Sequence, residues 1–197
     1  MRVLLTAFLF TLSHWALADD SAGLIQDYDQ TSWQESDTGA QIAAFEDQLA
    51  AWQQLDDTSE VLMWRGAVAA SIARAKGGVG ALGLLKQAKK DLDAAIQADP
   101  DNSMAVAIQA NLFAKAPGWP LSVGNSKKAA AGFAKALAAD PSNILALQGY
   151  GEFLAEKGDI PGAKIQYRKA LTLAPRVGRE MADQARQQTI QGLLDAL

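Results

Sequence analysis

Cysteine is absent from this chain of 197 residues, and histidine occurs once, at position 14. The lack of cysteine excludes disulfides, thiolate nucleophiles and thiolate metal ligands. Because His14 lies in a predicted leader, the mature chain would also lack imidazole, which excludes Ser-His-Asp catalysis and histidine-bound zinc or haem. We therefore expect no enzyme, no metal and no cofactor, with chemistry based only on carboxylates or lysine as the remaining alternative.

The first eighteen residues have the features of a signal peptide. A basic start at Arg2 precedes an apolar run over residues 3–12, and residues 16–18 (Ala-Leu-Ala) form a small-x-small cleavage site. The alternative, an uncleaved membrane anchor, needs about 20 apolar residues, and this run is shorter. We predict cleavage after Ala18 and a periplasmic or secreted product with no transmembrane segment.

Charge is unevenly distributed. Between Asp19 and Trp64 there are eleven acidic residues and no lysine or arginine, whereas Arg65 to Leu197 holds seventeen basic and eleven acidic residues. Residues 19–39 are polar and show no sustained apolar period, so we predict an acidic N-terminal arm without regular structure. An arm that interacts with a partner is the alternative to a poorly ordered leader.

Further along, apolar residues recur at the spacing of helices, and no segment indicates a strand. A first apolar stripe runs from Ile42 to Leu55 and is broken by acidic residues. Further helices are predicted over residues 60–76, 84–98, 103–116, 126–139, 143–157 and 160–174. A final amphipathic helix is predicted near the C-terminus.

Three segments of the chain match one another: KQAKKDLDAAIQADP, KKAAAGFAKALAADP and PGAKIQYRKALTLAP. Each has an alanine, a large residue, a second alanine and a proline at equivalent positions. The matched sets are Ala88, Ala129 and Ala163; Leu92, Phe133 and Tyr167; Ala95, Ala136 and Ala170; Pro100, Pro141 and Pro175. The alanines allow close helix packing, the large residue fills the groove, and the proline ends the helix.

This pattern resembles the second half of the tetratricopeptide repeat (TPR), and the unit that begins at Asn143 resembles the first half too. Tyr150-Gly151 stands for the Leu-Gly of the motif, and Pro141 and Pro175 are 34 residues apart, which is the family's period. The resemblance implies an all-α stack of antiparallel helix pairs over residues 40–175, with about three units and an N-terminal half-unit. Residues 176–197 would form a C-terminal capping helix.

Two insertions depart from the repeat, one in the glycine-rich residues 77–83 and one in residues 116–125. Both are expected to project as loops from one end of the helix pairs. The spacing of Gly78, Gly80 and Gly83 matches a dinucleotide-binding fingerprint, but that fingerprint requires a preceding strand. A helix is predicted there instead, so we interpret the glycines as an interhelical loop.

The resemblance also suggests a binding surface, because first helices of TPR pairs line a concave face. The implied partner-binding residues are Glu60, Met63, Asn111, Lys115, Gln148, Glu152 and Glu156. Trp119 lies between two prolines and is added as an exposed anchor; the alternative is that it folds back over a helix pair. The mixed charges of this set do not form a basic clamp for a peptide carboxylate.

Basic residues are concentrated on the predicted second helices, which form the convex side of such arrays: Lys86, Lys89, Lys90, Lys127, Lys128, Lys135, Lys164, Arg168 and Lys169. We interpret them as a solvated face, with anionic lipid or polymer as the alternative, and expect no nucleic-acid partner. On the C-terminal helix, the polar side is expected to face solvent. Its residues are Arg179, Asp183, Arg186, Gln187 and Gln191.

Taken together, these features favour an exported scaffold or adaptor that binds a protein or peptide partner in an envelope complex. The alternative is a small-molecule-binding accessory protein of a transporter, with an apolar cavity between irregular helix pairs. That cavity would be lined by Met63, Trp64, Phe113, Trp119 and Leu121. A glycan-cleaving enzyme that uses only carboxylates is a third possibility, but no acidic residue is singled out for it.

Overall fold

A computed structural model describes the backbone of residues 10–197 and the side chains of residues 21–197. This part of the chain forms nine α-helices and no strand, which confirms the all-α prediction. The helices are α1 Phe10–Trp33, α2 Thr38–Trp52, α3 Ser59–Lys76, α4 Ala81–Ala98, α5 Ser103–Lys115, α6 Ser126–Ala139, α7 Ile144–Glu156, α8 Ile160–Leu171 and α9 Glu180–Asp195. Among these helices, none is long and apolar enough to cross a membrane.

The helices form a stack of antiparallel pairs in two layers. The pairs α3–α4, α5–α6 and α7–α8 have the most extensive contacts. Helix α3 also contacts α5, and α5 contacts α7, so α3, α5 and α7 form one layer, which we call the inner layer. Helices α4, α6 and α8 form the outer layer, while α2 and α9 pack on the two ends of the stack.

The repeated alanines lie at the interfaces between paired helices. Both alanines of each matched segment are fully buried, and the large residue between them is at most 1% exposed. Small residues on the partner helix complete the fit: a Cβ atom at Gly66 would lie 2.7 Å from Leu92, and one at Gly151 would lie 2.7 Å from Tyr167 Cδ1. The periodic part of the sequence therefore specifies close helix packing directly.

Repeated hydrogen bonds at the helix starts link successive pairs. The side chains of Asn102 and Asn143 cap the N-termini of α5 and α7 by accepting from backbone N–H groups. Each asparagine also donates through Nδ2 to a serine in the first turn of the preceding inner helix. Asn102 lies 3.0 Å from Ser59 Oγ, and Asn143 lies 3.2 Å from Ser103 Oγ. The same sequence position thus performs the same two roles in two units.

The prediction of an irregular acidic arm over residues 19–39 is wrong, because α1 continues to Trp33 and α2 begins at Thr38. Leu24, Ile25 and Tyr28 pack against the core formed mainly by α2, α3 and α4. Most of a helix's stability in a protein comes from the apolar face that it buries. Three apolar residues in a polar segment were too weak a pattern to reveal this packing.

The predicted signal peptide over residues 1–18 lies half outside the described residues, and residues 10–18 are the start of α1. Cleavage after Ala18 stays a prediction. The glycine loop is shorter than predicted, since α4 begins at Ala81 and contains Gly83. Helix α3, and not a strand, precedes that loop, as the interpretation of an interhelical loop requires.

Candidate functional site

Polar side chains of α5 and α7 meet on the inner layer. Lys115 Nζ lies 3.0 Å from Glu152 Oε2 and also pairs with Glu156. Gln148 Nε2 donates to Glu152 Oε1 at 2.8 Å. The side chain of Asn111 packs on Gly149, where a Cβ atom would come within 2.8 Å of the amide carbon. Five of the eight predicted site residues therefore come together: Asn111, Lys115, Gln148, Glu152 and Glu156.

We call these five residues the inner cluster, and its positive and negative charges lie next to one another. Burial lowers the pKa of the Lys115 ammonium, but its hydrogen bonds to Glu156 and Glu152 outweigh that effect and raise the pKa. Burial, reinforced by the charge of Glu152, raises the pKa of the nearby Tyr167 phenol to about 12. The cluster is therefore a paired network and offers no isolated cation for a peptide carboxylate.

Glu60 and Met63 lie away from this cluster, at the edge of a separate cleft of about 820 Å³. Met63 and Trp64 from α3 and Met104 from α5 give it an apolar wall, and Arg179 adds a cation at its border. Its size suits a small ligand. The predicted cavity of five apolar residues is wrong, because only Met63 and Trp64 of that set line this cleft.

Trp119 projects from the α5–α6 loop and is 89% exposed, and Leu121 is 66% exposed. The interpretation in which Trp119 folds back over a helix pair is therefore wrong. Backbone hydrogen bonds hold the base of the loop: Gly124 N donates to Pro117 O at 2.8 Å, and Asn125 N donates to Phe113 O at 2.8 Å. The loop thus presents two large apolar side chains from an anchored base.

The polar side of α9 does not face solvent, which contradicts the prediction. Of its five residues, only Gln191 is exposed, and Asp183 is 1% exposed. Arg176 donates to Asp183 from its backbone N–H at 2.9 Å and from Nε and Nη2 at 2.8 and 2.7 Å. Burial raises the pKa of Asp183, but the hydrogen bonds and charge of Arg176 outweigh it and hold the pKa below its usual range.

Helix α1 covers two residues of this side, Arg179 and Arg186. Arg179 forms a bidentate pair with Asp29 of α1, with Nη2 2.6 Å from Oδ1, and its guanidinium lies 5.1 Å from the ring centre of Trp64. Arg186 lies 5.1 Å from the ring centre of Trp33 and donates to Gln148 at 2.7 Å. We call the contacts that Arg179, at the start of α9, and Arg186, within it, make with Asp29 and Trp33 of α1 the closure.

Burial lowers the pKa of the Arg186 guanidinium. Through Gln148, this arginine connects the closure to the inner cluster. Hydrogen bonds and ion pairs therefore run from α5 through α7 to α9, and the cation–π contact of Arg186 with Trp33 continues them to α1. Sequence reasoning placed Gln148 in the site but missed Asp29, Arg179 and Arg186 as contact residues. Asp29 and Arg179 are 150 positions apart, and no local pattern links them.

On the outer layer, the basic residues lie on α4, α6 and α8 as predicted, and most are exposed. A second cleft of about 350 Å³ separates α4 from α6, with Phe113 at its floor and lysines at its rim. Lys128 lies 5.5 Å above the Phe113 ring, and Lys89 pairs with Asp93 at 2.5 Å. Among the side chains that the structure describes, those of residues 21–197, no group of three acidic or histidine residues is placed to hold a metal ion.

Comparison with known proteins adds no relative: no family model matches the chain, and a search of curated proteins found no significant match. The resemblance to tetratricopeptide repeats therefore stays a prediction.

Proposed function

We propose that this protein is an exported adaptor of the tetratricopeptide type, which binds a protein partner in the cell envelope through the loop that presents Trp119 and Leu121. The observation that carries the proposal is the 89% exposure of Trp119 on a loop whose base is held by backbone hydrogen bonds. Tryptophan is enriched among the residues that dominate the binding energy of interfaces. Its exposure beside a second apolar side chain fits an anchor for an apolar pocket on the partner.

The scaffold supports this role. The helix pairs bury one continuous series of interfaces, so a loop at one end is presented from a rigid body. Val79, 85% exposed in the α3–α4 loop, lies at the same end of the stack, because both loops join an inner helix to an outer one. The partner surface would then cover both insertions.

The test is affinity capture from an envelope fraction with the tagged mature chain as bait. We expect the wild type to recover a discrete protein partner, and the double variant Trp119→Ser, Leu121→Ser to lose it. Removal of an interface anchor costs about 2 kcal/mol or more, which is about 30-fold in affinity. Mass analysis of the mature N-terminus in the same fraction tests cleavage after Ala18.

A matched control is Ile165→Ser, which alters a half-exposed apolar residue on α8. This variant should retain the partner. Undiminished recovery by the double variant would reject the loop as the binding site, and the absence of any partner for the wild type would reject the adaptor role.

A small-molecule carrier is the second candidate, favoured by the 820 Å³ cleft beside Met63 and Trp64. Native mass spectrometry after gentle purification would then show a retained ligand. A mass equal to that of the polypeptide alone would count against a carrier.

A further inference from the structure

Helix α1 is bound to the rest of the chain much as a separate helical ligand would be. Its Tyr28 ring packs against Phe45 and Trp64, with ring centres 5.5 and 5.3 Å apart, and its hydroxyl lies 3.0 Å from Ser71 Oγ. Asp29 on the same helix takes the bidentate contact from Arg179. An aromatic ring and a carboxylate at adjacent positions thus enter two different subsites.

Two further subsites lie one turn along. Thr31 Oγ1 accepts from Gln48 Nε2 at 2.9 Å, and Trp33 lies beneath the Arg186 guanidinium. The polar groups of the neighbouring helices that contact α1 are largely hydrogen-bond donors and cations. Helix α1 itself contributes hydrogen-bond acceptors and aromatic faces. The groove formed by α2, α3 and α9 therefore has a defined chemistry that is complementary to an acidic, aromatic helix.

The connection of α1 to the rest of the stack is short and exposed. Only residues 34–37 join it to α2, and all four are exposed. A Cβ atom at Gly23 of this helix would meet no other atom within 4 Å, and Gln26, Asp27 and Gln30 are exposed. After the predicted cleavage, α1 would comprise residues 19–33, and a helix of about 15 residues is marginal in water when it is detached. Occupancy of the groove by α1 therefore depends on its few anchors and on its high effective concentration.

We propose that α1 is the internal occupant of a helix-binding groove, and that the groove's external partner is an acidic amphipathic helix of another protein that displaces α1. The helix would present an aromatic residue, a carboxylate at the next position and a second aromatic residue four positions further on, as Tyr28, Asp29 and Trp33 do. This surface is separate from the Trp119 loop, so each site can fail without the other. Competition from α1 lowers the apparent affinity for the external helix by the fraction of molecules in which the groove is open.

The experiment uses a fluorescent synthetic peptide with the sequence of residues 21–34 as the external helix and the full mature chain as receptor. The wild type should bind it weakly. Asp29→Asn in the chain weakens the internal contact and leaves the groove's own donors intact, so the peptide should bind that variant at least about tenfold more tightly. A peptide with asparagine at the position of Asp29 should lose this gain.

A second substitution identifies the groove. Adding Arg179→Gln to the Asp29→Asn chain should abolish peptide binding, whereas Arg168→Gln, an exposed change on α8, should leave it unchanged. Equal affinities of the wild type and the Asp29→Asn chain, both with native helical circular dichroism, would overturn the proposal. A dimer formed by the Asp29→Asn chain that does not bind the peptide would also overturn it, because a second copy would then fill the groove.

Hydrogen exchange on the wild-type chain tests the displacement of α1 without any substitution, so it still applies if Asp29→Asn fails to fold. With isotopically labelled chain and saturating unlabelled peptide, amides of residues 21–33 should exchange faster while those of α7 stay protected. Unchanged protection of residues 21–33 at saturation would show that α1 is not displaced, which is the opposite of the proposal.

Discussion

The pairs from α3 to α8 and the closure between α1 and α9 hold helices together by different means. In the pairs, fully buried alanines and single large residues pack closely, as Ala129, Phe133 and Ala136 do in α6. In the closure, Arg179, which precedes α9, reaches a carboxylate of α1, and Arg186 of α9 reaches an indole. Close packing gains from many small contacts that are fixed locally, whereas an ion pair depends on two residues that are distant in sequence.

The largest effect is expected in the stack. Phe133 is fully buried and contacts the rings of Tyr150 and Phe153. Phe133→Ala should lower the free energy of unfolding by about 3–5 kcal/mol, because it removes buried apolar surface and leaves a cavity. Chemical denaturation followed by circular dichroism measures this loss of free energy of unfolding. Ile165→Ala, half exposed on α8, should stay within about 1 kcal/mol of the wild type; similar losses in both variants would remove the distinction between core and surface.

An intermediate effect is expected next to the closure, at Asp183. Asp183→Asn removes the charge that accepts three hydrogen bonds from Arg176 and should cost about 1.5–3 kcal/mol at pH 7. The folded pKa is lowered, so this contribution is complete above the unfolded pKa of about 3.9 and is lost as the pH falls through the folded pKa.

Denaturation curves of the wild type and of Asp183→Asn, recorded at pH 7 and at pH 3, test this pH dependence. The wild type should lose more stability than Asp183→Asn over that interval, so the two chains should converge in acid. Asp195→Asn, an exposed change near the end of α9, is the control and should follow the wild type. A constant difference between the wild type and Asp183→Asn across this range would mean that the carboxylate's charge is not what stabilises the site.

The smallest effects are expected when alanine replaces glycine within a helix. One such glycine, Gly151, lies in the paired helices, and the other, Gly192, lies in α9. Gly151→Ala places a Cβ atom against the buried Tyr167 ring and should destabilise by roughly 1–2 kcal/mol, since overpacking outweighs the better helix propensity of alanine. Gly192→Ala in α9 meets nothing within 4 Å and should stabilise by about 0.5–1 kcal/mol. Thermal melts of both variants give the signs, and a stabilising Gly151→Ala would contradict the close packing described for α7 and α8.

The same contrast explains what the sequence could predict. Helix α6 was predicted with its observed bounds because its alanines, Phe133 and the flanking Asn125 and Asp140 are all local signals. The helical character of residues 19–33 and the buried polar side of α9 were missed. Each depends on the other element, since the contact between Asp29, which is buried, and Arg179, which is partly buried, needs both in place.

For the candidate site, the family resemblance brought together the residues of α5 and α7 because their spacing follows the repeat. It placed Glu60 and Met63 in the same set, although they border a different cleft. Proline positions correctly indicated a loop at Trp119, but its exposure follows from how the loop base is bonded, which no residue pattern encodes. Repeats therefore predict which helices pair, while contacts between the two ends of the stack require the structure.

In a stack of helix pairs, each pair contacts only its neighbours, so small rotations between pairs add up to the curvature and twist of the whole stack. The ion pair between Asp29 and Arg179 is different, because it joins α1, which packs on α2, to the residue that precedes α9 at the other end of the stack. A change in the curvature of the stack would alter the distance between these two side chains. We therefore expect the shape of the molecule to depend on this one contact as well as on the packing of successive pairs.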